Sequence, residues 1–159
     1  MNYGTLSQHN GRYSLTFECE FPLSPEKLFD TLIDPAFFTQ WYPFATAEMD
    51  VEVGGKLKFD DGEGSVYEGE IIELEAPNTF VFKEIDDLLD MRITEKENGC
   101  LFTFKHSFDD ASMAMYMAAG WHRCLEVLQQ LVYGEPVEWK DNAEELRVYY
   151  KEAFEKGEQ

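Results

Sequence analysis

The stretch CLFTFKHSFDDASMAMYMAAGWHRCLEVLQQLVY, residues 100–133, decides the fold. Cys100, Phe102, Phe104, His106 and Phe108 alternate with Leu101, Thr103, Lys105 and Ser107, the period of a strand with one buried face, and His106 falls on the aromatic side. Asp109 or Asp110 can then cap a helix. From Ser112 to Tyr133 the residues Met113, Met117, Gly120, Trp121, Cys124, Leu128 and Leu131 recur at helical spacing as one broad apolar stripe. A one-sided helix that follows a run of strands points to a helix laid across a curved antiparallel sheet, an arrangement that encloses a pocket.

The upstream sequence supplies that sheet. Tyr13, Leu15, Phe17, Cys19 and Phe21 alternate with polar residues as a strand. Ser24-Pro25-Glu26 opens a helix with a capping hydroxyl and a proline at its first position, its packing side formed by Leu28, Leu32 and Ile33. Asp34-Pro35 stops this helix and caps a second, short one through Phe38. Strands are predicted over Glu48–Val53, Lys56–Asp60, Tyr67–Leu74, Thr79–Ile85 and Leu89–Lys96, separated by turns at Gly54-Gly55, Asp61–Gly64 and Pro77-Asn78. Asn98-Gly99 is a hairpin signal that leads into the last strand.

Composition narrows the function. The chain of 159 residues, 44% hydrophobic and 15% aromatic, is long enough for one domain with a sizeable core. Thirty-two acidic against thirteen basic residues give a formal charge of −19, a field that repels phosphate backbones and anionic membrane surfaces, so no nucleic-acid partner is expected. No window approaches the roughly 20 apolar residues of a membrane span, so no membrane insertion is expected. Met1 to Asn10 lacks the basic-then-apolar pattern of a secretory signal, and a cytoplasmic location is expected. Cys19, Cys100 and Cys124 are odd in number, far apart and set in apolar patterns, as reduced core thiols would be.

Asp34-Pro35 followed by Trp41, then Gly54-Gly55, then Gly69 leading to Pro77, and finally Gly120-Trp121 followed by Leu125 and Leu128, resemble the landmarks of the activator-of-heat-shock-ATPase homologue family of the START-like (SRPBCC) superfamily. The resemblance runs from about Tyr13 to Tyr133. It implies an α+β helix-grip fold: a curved antiparallel sheet of about six or seven strands wrapped around the long C-terminal helix, with two short helices after strand 1. It also implies a cavity that in relatives accepts lipids, polyketides, plant aromatics or other apolar molecules.

On that frame the ligand-binding candidates are Tyr67, Phe82, Met91, Phe104 and His106 on the inner sheet face, opposite Met113, Met117, Trp121 and Cys124 of the helix. Phe38, Trp41 and Tyr42 would form an entrance wall. An apolar pocket with a few polar groups is the usual composition of a small-molecule site. The competing reading is that these side chains simply fill the core. His106 could exchange protons with a ligand, or be a core histidine bonded to a neighbouring polar group.

No metal and no cofactor are expected. His122 and Cys124, two apart on a helix, point in different directions, and Gly62-Glu63-Gly64 lacks the lysine and helix start of a phosphate loop. No cysteine or serine is paired with a base, so no catalytic residue is assigned. Glu68, Glu70, Glu126 and Glu152 fall on the polar sides of elements, as a solvated surface would; Asp60-Asp61 and Asp86-Asp87 fall in turns.

The helix-grip domain is expected over residues 1–134, followed by a helical extension over 135–159. There Leu146, Tyr149, Tyr150, Ala153 and Phe154 form an apolar stripe, with Asp141 and Glu144 as a capping signal. The stripe either packs on its own domain or serves a homodimer or another protein partner. Three functions follow: a carrier or sensor of a small hydrophobic, aromatic or lipid-like molecule; a co-chaperone-like interaction protein; or an enzyme that holds a polyketide or aromatic substrate in the same cavity.

Overall fold

The computed structural model describes residues 3–157, so residues 1–2 of the expected domain and 158–159 of the expected extension lie outside the described residues. An edge hairpin opens the chain, β1 (Thr5–His9) and β2 (Arg12–Phe21). It turns through Asn10 and Gly11, both at positive φ (52° and 81°), as a two-residue type I′ turn demands. Helices α1 (Pro25–Leu32) and α2 (Pro35–Trp41) follow, each with proline in its first turn. Ser24 Oγ accepts from Lys27 N at 3.2 Å and Asp34 Oδ1 from Ala36 N at 3.0 Å, which satisfies N–H groups left open at the helix starts.

A six-strand meander then runs β3 (Ala45–Met49), β4 (Lys56–Asp60), β5 (Val66–Glu75), β6 (Thr79–Glu84), β7 (Asp87–Lys96) and β8 (Gly99–Phe108). The strands form one antiparallel sheet in the order β1-β2-β8-β7-β6-β5-β4-β3, in which the early strand β2 pairs with the last one along Tyr13↔Phe108 to Phe21↔Cys100. A single 3₁₀ turn (Ala111–Met113), capped by Asp110, leads into α3 (Ala114–Val132), and α4 (Ala143–Gly157) ends the chain.

The sheet has eight strands, because the short stretch TLSQH, whose alternation is weak, is recruited by the tight turn that follows it. The two short helices therefore come after the second strand. The β7–β8 turn is Glu97-Asn98, one residue before the predicted Asn98-Gly99. Gly99 is already the first residue of β8, and any Cβ there would collide with the carbonyl of Phe21.

Helix α3 carries two buried faces where one stripe was predicted. Cys124, Leu125 and Leu128 pack with the sheet aromatics in the core, while His122 and Glu126 face α4. Gly120 is exposed and Met113 is 52% exposed, since the first predicted turn of the helix is a 3₁₀ turn that projects Met113 outward. On α4, Leu146 and Tyr150 are buried. The Tyr150 hydroxyl accepts from Gly4 N and meets His122 Nδ1, both at 2.8 Å, so it fastens α4 to β1 and α3 at once. Burial lowers the His122 pKa from its ordinary value.

Candidate functional site

Strand β6 aims Phe80, Phe82 and Glu84 at α2 and Tyr42 by simple alternation, so an aromatic row ends in a half-buried carboxylate. Tyr42, the residue that ends α2, is 97% buried and donates its hydroxyl to Glu84 Oε2. Tyr67 on β5 is a neighbour of the same carboxylate. Burial raises the Glu84 pKa, against Tyr42, Tyr67 and nearby His106, which lower it; Asp87 adds a further push upward. Burial and the Glu84 charge likewise push the Tyr42 phenol well up.

His106 on β8 is 6% exposed and doubly held. Trp121 Nε1–H donates to His106 Nδ1 at 2.9 Å, which leaves the proton on Nε2 to face Asp87 Oδ2 at 2.8 Å. The second of the two readings of His106 is the observed one in its resting state, with an indole and a carboxylate as partners.

Glu84 and Asp87 are directly opposite each other across β6 and β7, a like-charge pair that costs stability. Between them the chain turns through Ile85, a β-branched residue at φ 58° and 66% exposed. Both departures cost free energy at the same point.

Behind this polar rim lies a packed aromatic layer. Trp121 sits 4.7 Å from Phe104 and 5.3 Å from Tyr42 between ring centroids, Phe38 stacks on Tyr42 at 4.7 Å, and Trp41 meets Phe104 edge-on at 6.4 Å. Trp41 is 1% exposed, and its indole N–H has no acceptor among the described residues. A buried donor without a partner costs about 1–3 kcal/mol.

The structure brings most of the predicted lining together. Phe38, Trp41, Phe82, Met91, Phe104, His106 and Cys124 are buried between sheet and helices, and Tyr67, Met117 and Trp121 are half-buried. Met113 stands outside the group, exposed at the start of the helix. Burial pushes the Cys124 thiol up to about 12, which keeps it an unreactive core group. Glu84, inside the predicted Thr79–Ile85 strand, is missing from the candidate set; its signal was the Phe80, Phe82, Glu84 alternation, which puts it on the aromatic face. Asp87, read as a turn acid, is the partner of His106.

Depressions of about 560, 660 and 460 Å³ open near Phe21 and Tyr133, between β1 and α4, and on the outer sheet face near Lys83 and Lys105. None of the three is walled by Trp41, Phe82, Phe104 or Trp121. Among the described residues no three His, Cys, Asp or Glu side chains converge as a metal site, and no helix is long and apolar enough to cross a membrane.

The sequence profile of the Activator of Hsp90 ATPase homolog 1-like protein family matches residues 22–133, the span from the end of β2 to the end of α3. The chain belongs to that family. No curated protein matches it in sequence. Among solved structures, this homolog 1-like chain is similar to the conserved protein EF2215 from Enterococcus faecalis, at TM-score 0.83 and 16% identity over 96% of this chain and 91% of that one. It is also similar to CalU16 from Micromonospora echinospora (TM-score 0.72, 17% identity, 96% and 94% covered). The Aha1 dimer from Colwellia psychrerythraea aligns over 75% of this chain and 95% of its own (TM-score 0.63, 17% identity). At these identities the likeness establishes the helix-grip architecture alone.

Proposed function

We propose that this protein binds a small, mostly apolar, aromatic or lipid-like molecule between the sheet and α3. The unpartnered indole N–H of Trp41 carries the reading. A core otherwise filled with close aromatic contacts holds this indole donor without an acceptor among the described residues, and a carbonyl or hydroxyl oxygen of a ligand would satisfy it. The way in lies between Tyr67 on the sheet and Met117 and Trp121 on the helix, the half-buried members of the lining. Because the aromatic layer is closed at rest, binding requires Trp121 or Met117 to swing aside, and methionine adapts readily to such a change.

The test is a nuclear magnetic resonance titration of the three indole N–H signals, from Trp41, Trp121 and Trp139, against fatty acids, flavonoids, polyketides and sterols. A true ligand raises the melting temperature and moves the Trp41 indole signal downfield as it gains an acceptor. A panel in which no compound moves that signal removes the reading.

The rim supports a second reading, a proton-transfer enzyme that uses the same cavity. Glu84, its pKa raised by burial, beside the hydrogen-bonded His106–Asp87 pair places candidate proton donors and acceptors within one site. On that reading His106→Gln abolishes product formation while fold and ligand binding persist.

A further inference from the structure

The two edges of the sheet are unlike. At the β3 edge the register slips between Ala45 and Met49, and Lys58 and Glu48 pair across it, both of which discourage further strand pairing. The β1 edge is regular through five residue pairs and carries no lysine, acid, proline or bulge. Its hydrogen-bond directions follow from the turn. In a two-residue hairpin the closing pair, His9 and Arg12, exchanges both bonds, so Thr5, Ser7 and His9 face β2 while Gly4, Leu6 and Gln8 face outward. The bond from Gly4 N to the Tyr150 hydroxyl agrees with this phase. Among the described residues nothing bonds the outward N–H and C=O groups of Leu6 and Gln8.

Alongside this edge runs the depression of about 660 Å³ bounded by Leu6, Tyr13, Tyr149, Ala153 and Phe154. At one end Tyr3 and Tyr149 stack with centroids 3.9 Å apart, and both remain more than 40% exposed. An open backbone edge beside an apolar wall is the arrangement that captures an extended peptide as an added strand. The formal charge of −19 chooses its character: it opposes a second copy of the same chain and attracts a cationic segment, whose lysine or arginine can lie on the exposed tyrosine faces.

We infer that the β1 edge and the β1–α4 groove bind an extended, basic peptide segment of a partner protein by strand addition, with alternate apolar side chains set into the groove. This site is separate from the sheet–α3 interior and does not depend on a ligand there.

The probe is a fluorescein-labelled heptapeptide of alternating lysine and valine, with a glutamate–valine peptide as its counterpart, followed by fluorescence anisotropy. Gln8→Pro removes one outward N–H without touching the β1–β2 ladder, so the fold stands. Tyr149→Ala, at an exposed position, removes part of the wall. The lysine peptide is expected to bind wild type, to lose about tenfold in affinity with either variant, to weaken as salt rises, and to outbind the glutamate peptide. Gln8→Ala, which keeps the N–H, should bind as wild type. The inference is overturned if the lysine peptide does not bind, if Gln8→Pro binds it unchanged, if both peptides bind alike, or if sedimentation shows that wild type pairs with itself through an edge that Gln8→Pro disrupts.

Discussion

Replacing Tyr150 with phenylalanine removes one oxygen atom and tests how α4 is held. The side chain is fully buried, and its hydroxyl is the meeting point of Gly4 N and His122 Nδ1. The Glu126 carboxylate, an acceptor 3.3 Å from His122 Nε2, favours the proton of the neutral ring on Nε2, so Nδ1 accepts from the Tyr150 hydroxyl while that oxygen accepts from the amide. In the variant the apolar contacts of the ring with Phe17 and Phe154 persist, but a buried amide and a buried imidazole nitrogen both lose their partners. At about 1–3 kcal/mol for each orphaned group, with some relief from local relaxation, the expected loss is about 2–4 kcal/mol. For a domain of this size that lowers the melting temperature by roughly 4–16 °C. Urea unfolding measures it directly, with the slope unchanged if only stability has moved. Tyr149→Phe, at an exposed position outside this junction, is the control and should shift stability by less than about 0.5 kcal/mol. A Tyr150→Phe variant as stable as the control would refute the bridging role of the hydroxyl.

Other outcomes follow from the same reasoning. His122 has a folded pKa below its ordinary 6.5, so below that pH the unfolded chain takes up the proton first; urea stability should fall as pH drops from 7 to 5, and less steeply in His122→Gln. Glu84 has a folded pKa above its ordinary 4.5, so the stability linked to its protonation is fully present below 4.5 and is lost as pH rises. Glu84→Gln, which keeps an acceptor for Tyr42, should therefore stabilise at pH 7, with the gain fading towards pH 4 in the same urea assay. Ile85→Gly relieves the positive φ of the β6–β7 turn and should add about 1 kcal/mol by thermal unfolding, more than offsetting the extra entropy of glycine in the unfolded chain.

Much of the architecture was legible because sheet and helix write different periods. The alternation through Leu15, Phe17, Cys19 and Phe21 and through Phe102, Phe104 and His106 placed the paired strands β2 and β8 and the inner face to which they contribute. The edges were harder. TLSQH has too little apolar contrast for its partner-imposed strand to show, and the position of Gly99 depends on the carbonyl of Phe21, far away in sequence. The two-sided burial of α3 depends on α4 arriving against His122, which a single-helix periodicity cannot anticipate. At the site, the aromatic members could be read from alternation and helical spacing. The ion-bearing members could not, because Glu84 and Asp87 look like ordinary surface acids until the tyrosines and His106 are brought to them.

The pairing of β2 with β8 has a consequence for how the chain is made. Strands β3 to β8 can assemble by successive local hairpins, but β2 must wait for a partner about 90 residues further along. At about 5–20 residues per second on the ribosome, that is roughly 5–20 s during which Leu15, Phe17, Cys19 and Phe21 form an uncovered apolar strand. Until then the apolar face of β2 has no β8 beside it, and the bond from Gly4 N to the Tyr150 hydroxyl can form only once α4 has been made.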